Sequence, residues 1–291
     1  HHHEKHILFF ALIPSYLYNI DAMETNHEPN FYLFADIGNS TIDFLSFDEE
    51  KRETKKIDTH NKESILSYLS EFNNKKNLSI TISSVNSDGL NAIMDFLSSY
   101  QGEKRIFLLS PESRKSYAES NHLKVDNVSF LGSDLFCDII AEENKNGQII
   151  IDLGTASKIL YLSKDNVFYG CSIFPGLSSF PRTLNRTTDL LERVNLRSTP
   201  KLVSLETKEC ISSGAINGGA SLIAGMVNVR KREYGCKDAD VYLTGGNAYL
   251  VKDNLSRFGL TGFTYDPYHI RKGLRRLTPP KSYEKLIQRR K

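Results

Sequence analysis

The chain has 291 residues, 40% hydrophobic and 25% charged, with a net charge of +2. That length suits two domains, each able to bury its own core, and the near-neutral charge excludes a general attraction to nucleic acid. Four widely spaced cysteines, Cys137, Cys171, Cys210 and Cys236, form no Cys-x-x-Cys pair, which excludes a zinc site or disulfide framework and fits a reducing cytoplasm.

Residues 1–30 are set apart from the fold. His1-His2-His3 reads as a tag remnant, and Met23 is a candidate natural start. Ile7 to Tyr18 is apolar but broken by Pro14, and shorter than the ~20 residues that a membrane-spanning helix needs. The apolar run Phe31 to Ala35 leads into Asp36-Ile37-Gly38-Asn39-Ser40-Thr41, and Ile42 to Phe47, with Asp43 in it, leads out. This is strand, tight turn, strand. The charged run 48–53 reads as a solvated loop and Lys55 to Asp58 as a third strand. Apolar residues at 65, 66, 69 and 72 predict a helix over 64–72. Leu78 to Val85 predicts a strand, Ile93, Met94 and Leu97 a helix after Asn86, and Arg105 to Leu109 a strand. The order is that of an α/β domain with a mixed sheet.

Residues 110–131 lack periodicity. Leu131-Gly132-Ser133-Asp134-Leu135 opens a helix through Ala141, in whose first turn a carboxylate is favoured by the helix dipole. The second half repeats the plan. Gln148 to Ile151, the turn Asp152-Leu153-Gly154-Thr155-Ala156-Ser157, and Lys158 to Leu162 again read as strand, turn, strand. Val167 to Gly170 and Ile173 to Pro175 are strand, 184–196 is helical in part, and a long helix runs from about Ser212 to Tyr234. Asp240 to Thr244 is a strand ending in Gly245-Gly246. From Arg271 to the end there are nine Lys and Arg and one acid, Glu284, the pattern of a solvated tail or a polyanion contact.

Glycine lets backbone approach a ligand, backbone N–H groups and hydroxyls hold phosphate oxygens, and a carboxylate at a strand end suits a hydrated metal ion. Three glycine turns that close strands, two beginning with Asp, point to one nucleotide. No Gly-x-x-x-x-Gly-Lys-Ser/Thr or Gly-x-Gly-x-x-Gly occurs, so neither a P-loop nor a dinucleotide fold is indicated.

Two Asp-x-Gly hairpins and a late Gly-Gly turn resemble the actin-like ATPase and sugar-kinase superfamily, an α/β fold of two ribonuclease-H-like domains with a nucleotide cleft between them. Within it, the region from about Phe31 to Leu277 resembles type III pantothenate kinase. The likeness lies in Asp36 to Thr41, Gly132-Ser133-Asp134, Asp152-Leu-Gly-Thr-Ala156, Gly170 to Gly176, Thr188 to Val194, Ser213-Gly214 with Gly218, and Thr244-Gly-Gly-Asn-Ala248. It implies domains at 31–145 and 146–278, with a basic tail at 279–291.

The resemblance also implies site roles. ATP phosphates sit on residues 36 to 43 (Asp36, Ile37, Gly38, Asn39, Ser40, Thr41, Ile42, Asp43) and near Thr155. Asp36 holds Mg2+ through water, and Gly245 and Gly246 lie by the adenosine. Asp134 is the general base on the pantothenate hydroxyl, with Gly132, Ser133, Leu135 and Thr188 lining the substrate, Thr188 from the second subunit of a homodimer. Asp152 helps hold a monovalent cation, K+ or NH4+. The implied activity is the ATP-dependent phosphorylation of pantothenate in the cytoplasm, the first step toward coenzyme A, with no membrane or nucleic-acid partner.

Four departures fall on the acceptor side. Leu135 replaces the family's arginine, Val125 a tyrosine, Ser157-Lys158 a Thr-Thr pair and Glu192 a proline. Lys158 either supplies the charge that Leu135 lacks or points to solvent. Two other readings remain: an accessory transcription factor, toward which Leu135 and the basic tail point, and a kinase for a different small hydroxyl compound.

Overall fold

A computed structural model describes residues 29–48, 51–187, 194–197 and 199–277. The chain divides into two compact units, one ending at Leu109 and the other running from Ser110 to Leu277. Residues 110–145 therefore pack with the second unit, whereas the expected division at 145/146 falls just before that unit's first strand.

In the first unit the strands are β1 (Phe31–Ile37), β2 (Thr41–Phe47), β3 (Arg52–Asp58), β4 (Asn77–Ser84) and β5 (Glu103–Leu108). The sheet order is β3-β2-β1-β4-β5. β1 runs antiparallel to β2 and parallel to β4. β1 and β4, flanked on both sides, are almost continuously buried, as internal strands covered on both faces must be. Helices α1 (Lys62–Ser70) and α2 (Ser87–Ser99) supply Ile65, Leu69, Ile93 and Leu97 to the core. Arg52 and Glu53, expected in a loop, instead belong to β3. An edge strand tolerates such charge because one side of its ladder faces water.

The second unit repeats this topology. Its strands are β6 (Gln148–Leu153), β7 (Ala156–Leu162), β8 (Phe168–Pro175), β9 (Asp240–Thr244) and β10 (Thr264–Tyr265), in the order β10-β9-β6-β7-β8. β6 is antiparallel to β7 and parallel to β9, as β1 is to β2 and β4. Read from the β8 edge, the two sheets have the same order and the same pairing directions. This is the expected duplicated ribonuclease-H-like plan.

Four helices described in this unit come before its last one: α3 (Pro111–Ser120), α4 (Ser133–Ile140), α5 (Ser179–Thr187) and α6 (Thr207–Glu233). Helix α6 is long and apolar enough to cross a membrane by length and composition, but Ile216, Ala220, Ile223 and Val227 bury into the core with β6 and β9. Helix α3 escapes periodicity because only Arg114 and Ala118 are buried on it. Its start is nevertheless written locally: the Ser110 side chain accepts from the Ser113 N–H, and Pro111 takes the first turn.

The stretch from Arg271 is not all solvated tail. Residues His269–Leu277 form α7, with His269, Arg271, Gly273 and Leu274 buried, while the remainder of the tail lies outside the described residues. Helix α7 packs on α4 at Gly273, where a Cβ would collide with the Cys137 carbonyl. Gly273→Ala is therefore expected to destabilise the protein by about 2 kcal/mol, overpacking outweighing alanine's better helix propensity. Thermal unfolding should show a melting temperature roughly 4–8 °C lower. A variant that melts with the wild type would show that the two helices do not meet so closely.

Candidate functional site

In the first unit the phosphate-type turn is a tight hairpin. The Gly38 N–H donates to the Thr41 carbonyl at 3.0 Å. Three carbonyls of the turn are held from the β3–α1 connection: Thr59 Oγ1 donates to Gly38 O at 2.9 Å, the Thr59 N–H to Ser40 O at 3.1 Å, and the His60 ring lies 3.1 Å from Asn39 O. Ile37 and Ile42 anchor the turn in the core while Asn39, Ser40 and Thr41 face solvent. Asp36 and Asp43 are direct cross-strand partners, both half-buried, and Asp43 lies 3.6 Å from Lys56. The hairpin thus offers oxygen donors beside exposed small polar groups, a donor set suited to a hydrated hard cation.

The second unit holds the charged centre. On β6, Ile149, Ile151 and Leu153 face the core shared with α6, so by strand alternation Asp152 faces the side that α4 covers. The register Leu153↔Ser157 and Asp152↔Lys158 places Lys158 directly opposite Asp152 across the hairpin. Lys158 Nζ donates to Asp152 Oδ2 at 2.6 Å and to Asp134 Oδ2 at 2.8 Å. Asp134 reaches this point from the first turn of α4.

Gly132, the N-cap of α4, leaves room for that carboxylate: a Cβ would lie 2.6 Å from Asp134 Oδ1 and displace it. Ser133 beside it is buried and Leu135 half-buried. Lys158 thus does not point to solvent: its ammonium is held between two carboxylates.

The electrostatics follow from burial. Asp152 is 4% exposed, and that desolvation pushes its carboxyl above the usual carboxylate range, with Lys158 pulling the other way. Burial works against the Lys158 ammonium too. Asp152 and Asp134 outweigh it, so Lys158 is held above the ordinary lysine range and stays charged. Arg114, from α3, is a charge that the sequence reading missed. Its buried guanidinium donates to Ser129 O at 3.2 Å and feels the field of Asp134, while burial lowers its pKa. A lone Arg on a helix without an apolar stripe gives no signal of this kind.

The Gly245-Gly246 turn bears on the same centre. Gly245 has φ +93°, the left-handed region, and a Cβ there would meet Asp152 Oδ1 and Leu153 N at 2.5 Å. The Asn247 N–H donates to Leu153 O at 2.7 Å, and its side chain to Gly154 O at 3.0 Å. From the other side, the Gly176 N–H donates to Thr155 O at 3.2 Å. The Gly154-Thr155 turn is therefore clamped from two loops, with Thr155 and Gly246 exposed. Thr188 and Glu192 lie outside the described residues.

One other group of metal-capable side chains occurs among the described residues: Glu142, Asp266 and His269. Lys272 pairs with both carboxylates, with Asp266 at 2.7 Å, so the charge there is already balanced from within the chain.

The family model for type III pantothenate kinases matches residues 32–229. The type III pantothenate kinase of Sulfurihydrogenibium sp. (strain YO3AOP1) is 30% identical over 241 residues, covering 77% of this chain and 91% of that protein. That of Acholeplasma laidlawii (strain PG-8A) is 35% identical over 133 residues, 46% of this chain and 53% of that protein. Among solved structures, a Campylobacter jejuni protein named for the Baf family of transcriptional activators matches with a TM-score of 0.53 at 19% identity, over 84% of this chain and 96% of that one. At that identity the likeness is one of fold. MreB5 of Spiroplasma citri matches with a TM-score of 0.50 at 9% identity, over 89% of this chain and 98% of that one, again a likeness of fold. With the motifs in order, the two sheets alike and a family model spanning both units, the chain belongs to the type III pantothenate kinase family.

Proposed function

We propose that this protein transfers the terminal phosphoryl group of ATP to the primary hydroxyl of pantothenate, the first step toward coenzyme A, in the cytoplasm and as a homodimer. The observation that carries this reading is Asp134. Its carboxylate sits on the first turn of α4, with a glycine before it and an ammonium 2.8 Å away. Phosphoryl transfer asks little covalent chemistry of a protein. It needs donors on the phosphates, charge neutralisation and one carboxylate beside the attacking hydroxyl.

Asp134 accepts the proton of that hydroxyl. In the first unit, residues 36 to 43 bind phosphate oxygens. A magnesium ion held through water at Asp36 would neutralise the charge of the transferred group, and the carboxylate pair Asp36 and Asp43 fits it. In the second unit, Thr155 takes part in phosphate binding, and Gly245 and Gly246 lie by the adenosine. Gly132, Ser133 and Leu135 line the acceptor, with Thr188 from the second subunit. Leu135 offers no charge to the pantothenate carboxylate, so that group must be held from elsewhere.

Purified protein given ATP and magnesium is expected to release ADP only when pantothenate is added. ADP release that ignores pantothenate and follows another small hydroxyl compound would overturn the substrate assignment.

A further inference from the structure

A carboxylate as buried as Asp152 requires a positive partner, and the chain supplies it. Lys158 is the direct cross-strand neighbour, 2.6 Å away, and its ammonium also reaches Asp134 at 2.8 Å. The family resemblance places a K+ or NH4+ ion at Asp152. That position does not fit a second cation here. The ammonium head of lysine is the same charged group as an ammonium ion, fixed in place by the β6–β7 register. Another unit positive charge beside Lys158 Nζ would meet like-charge repulsion that water screens little at so buried a position. Gly245 closes a further side, since its backbone lies against Asp152 Oδ1.

We infer that Lys158 serves as a tethered monovalent cation, so that this enzyme, unlike one with a cation site at Asp152, works without K+ or NH4+. Lys158 is a positioning residue in this arrangement: it holds Asp134 through the shared ammonium and neutralises Asp152. When Asp134 takes up the hydroxyl proton, Lys158 and Asp152 remain as a balanced pair, and no loose ion needs to enter or leave. The inference rests on the kinase reading for its kinetic consequence, but its binding consequence is independent of turnover.

Two measurements test it. Melting temperatures of the wild type in KCl, NH4Cl and choline chloride at equal ionic strength should agree within about 2 °C, because an ion that does not bind the native state cannot stabilise it. The Lys158→Thr variant should melt higher in KCl or NH4Cl than in choline chloride, because the vacated site takes up a free ion. ADP release by the wild type should differ by less than about threefold among the three salts, since losing a bound charge from such a centre would cost far more than that. Wild-type stabilisation specific to K+ or NH4+, or a larger rise in rate, overturns the inference. If ADP release is absent in every salt, the kinase reading fails instead, and the wild-type melting curves alone decide the question of the tethered cation.

Discussion

Asp134→Asn should lower turnover with pantothenate by about 10²–10⁴-fold, the usual contribution of a positioned general base. Asparagine keeps the size of the side chain and still accepts a hydrogen bond from Lys158 Nζ, but it takes up no proton. The loss should therefore appear in kcat with little change in KM for either substrate, the sign of an interaction made in the transition state. The fold should survive, because Lys158 retains Asp152 at 2.6 Å and Asp134 itself is one of the more accessible members of the centre. Steady-state ADP release across a range of pantothenate concentrations checks this. A fall of less than about tenfold would remove Asp134 from the base role.

Lys158→Met carries the largest expected effect on stability. It keeps much of the aliphatic stem and deletes the charge, leaving Asp152 buried without its counter-ion. Breaking a buried pair from one side costs about 3–5 kcal/mol, equivalent to a melting temperature lower by roughly 10 °C in a chain of this size. The effect depends on pH in a definite direction. Burial already raises the Asp152 pKa, and removing Lys158 raises it further. A carboxyl whose folded pKa exceeds its unfolded value adds stability that is fully present below the unfolded pKa and lost as pH rises through the folded one. The deficit of Lys158→Met should thus be small in acid and grow toward neutral pH. Adding Asp152→Asn should recover most of it, since removing both charges avoids the unpaired one. Denaturant unfolding of the two single variants and the double variant gives the coupling directly. A single variant within about 1 kcal/mol of the wild type at neutral pH would contradict the buried pair.

Much of this protein was legible locally. The hairpins at Asp36 and Asp152 show themselves as apolar runs around small polar turns, and both have the predicted strand-turn-strand form. The core strands and α2, α4 and α6 follow from runs and periodicity, because burial on a regular element leaves a regular pattern. The motif order was enough to suggest the family. Helix α3 was missed because a mostly exposed helix has no apolar stripe, and α7 because basic residues surround its few buried positions.

The partnership of Lys158 with Asp152 was within reach of the sequence. A hairpin with Leu153 opposite Ser157 must set residue 152 against 158. What lay beyond it was the third member. Asp134 is 24 residues from Lys158, and only the packing of α4 on β6 and β7 brings the two together. The same holds for Gly273 against Cys137 and Gly245 against Asp152, two backbone approaches set by elements far apart in the chain. Sequence by itself determined the repeated α/β plan, the phosphate-type turns and the family, since these depend on short-range pattern and residue type. Tertiary structure alone decided that Lys158 is shared with Asp134, because only the packing of α4 on the β6–β7 hairpin brings that second carboxylate within reach.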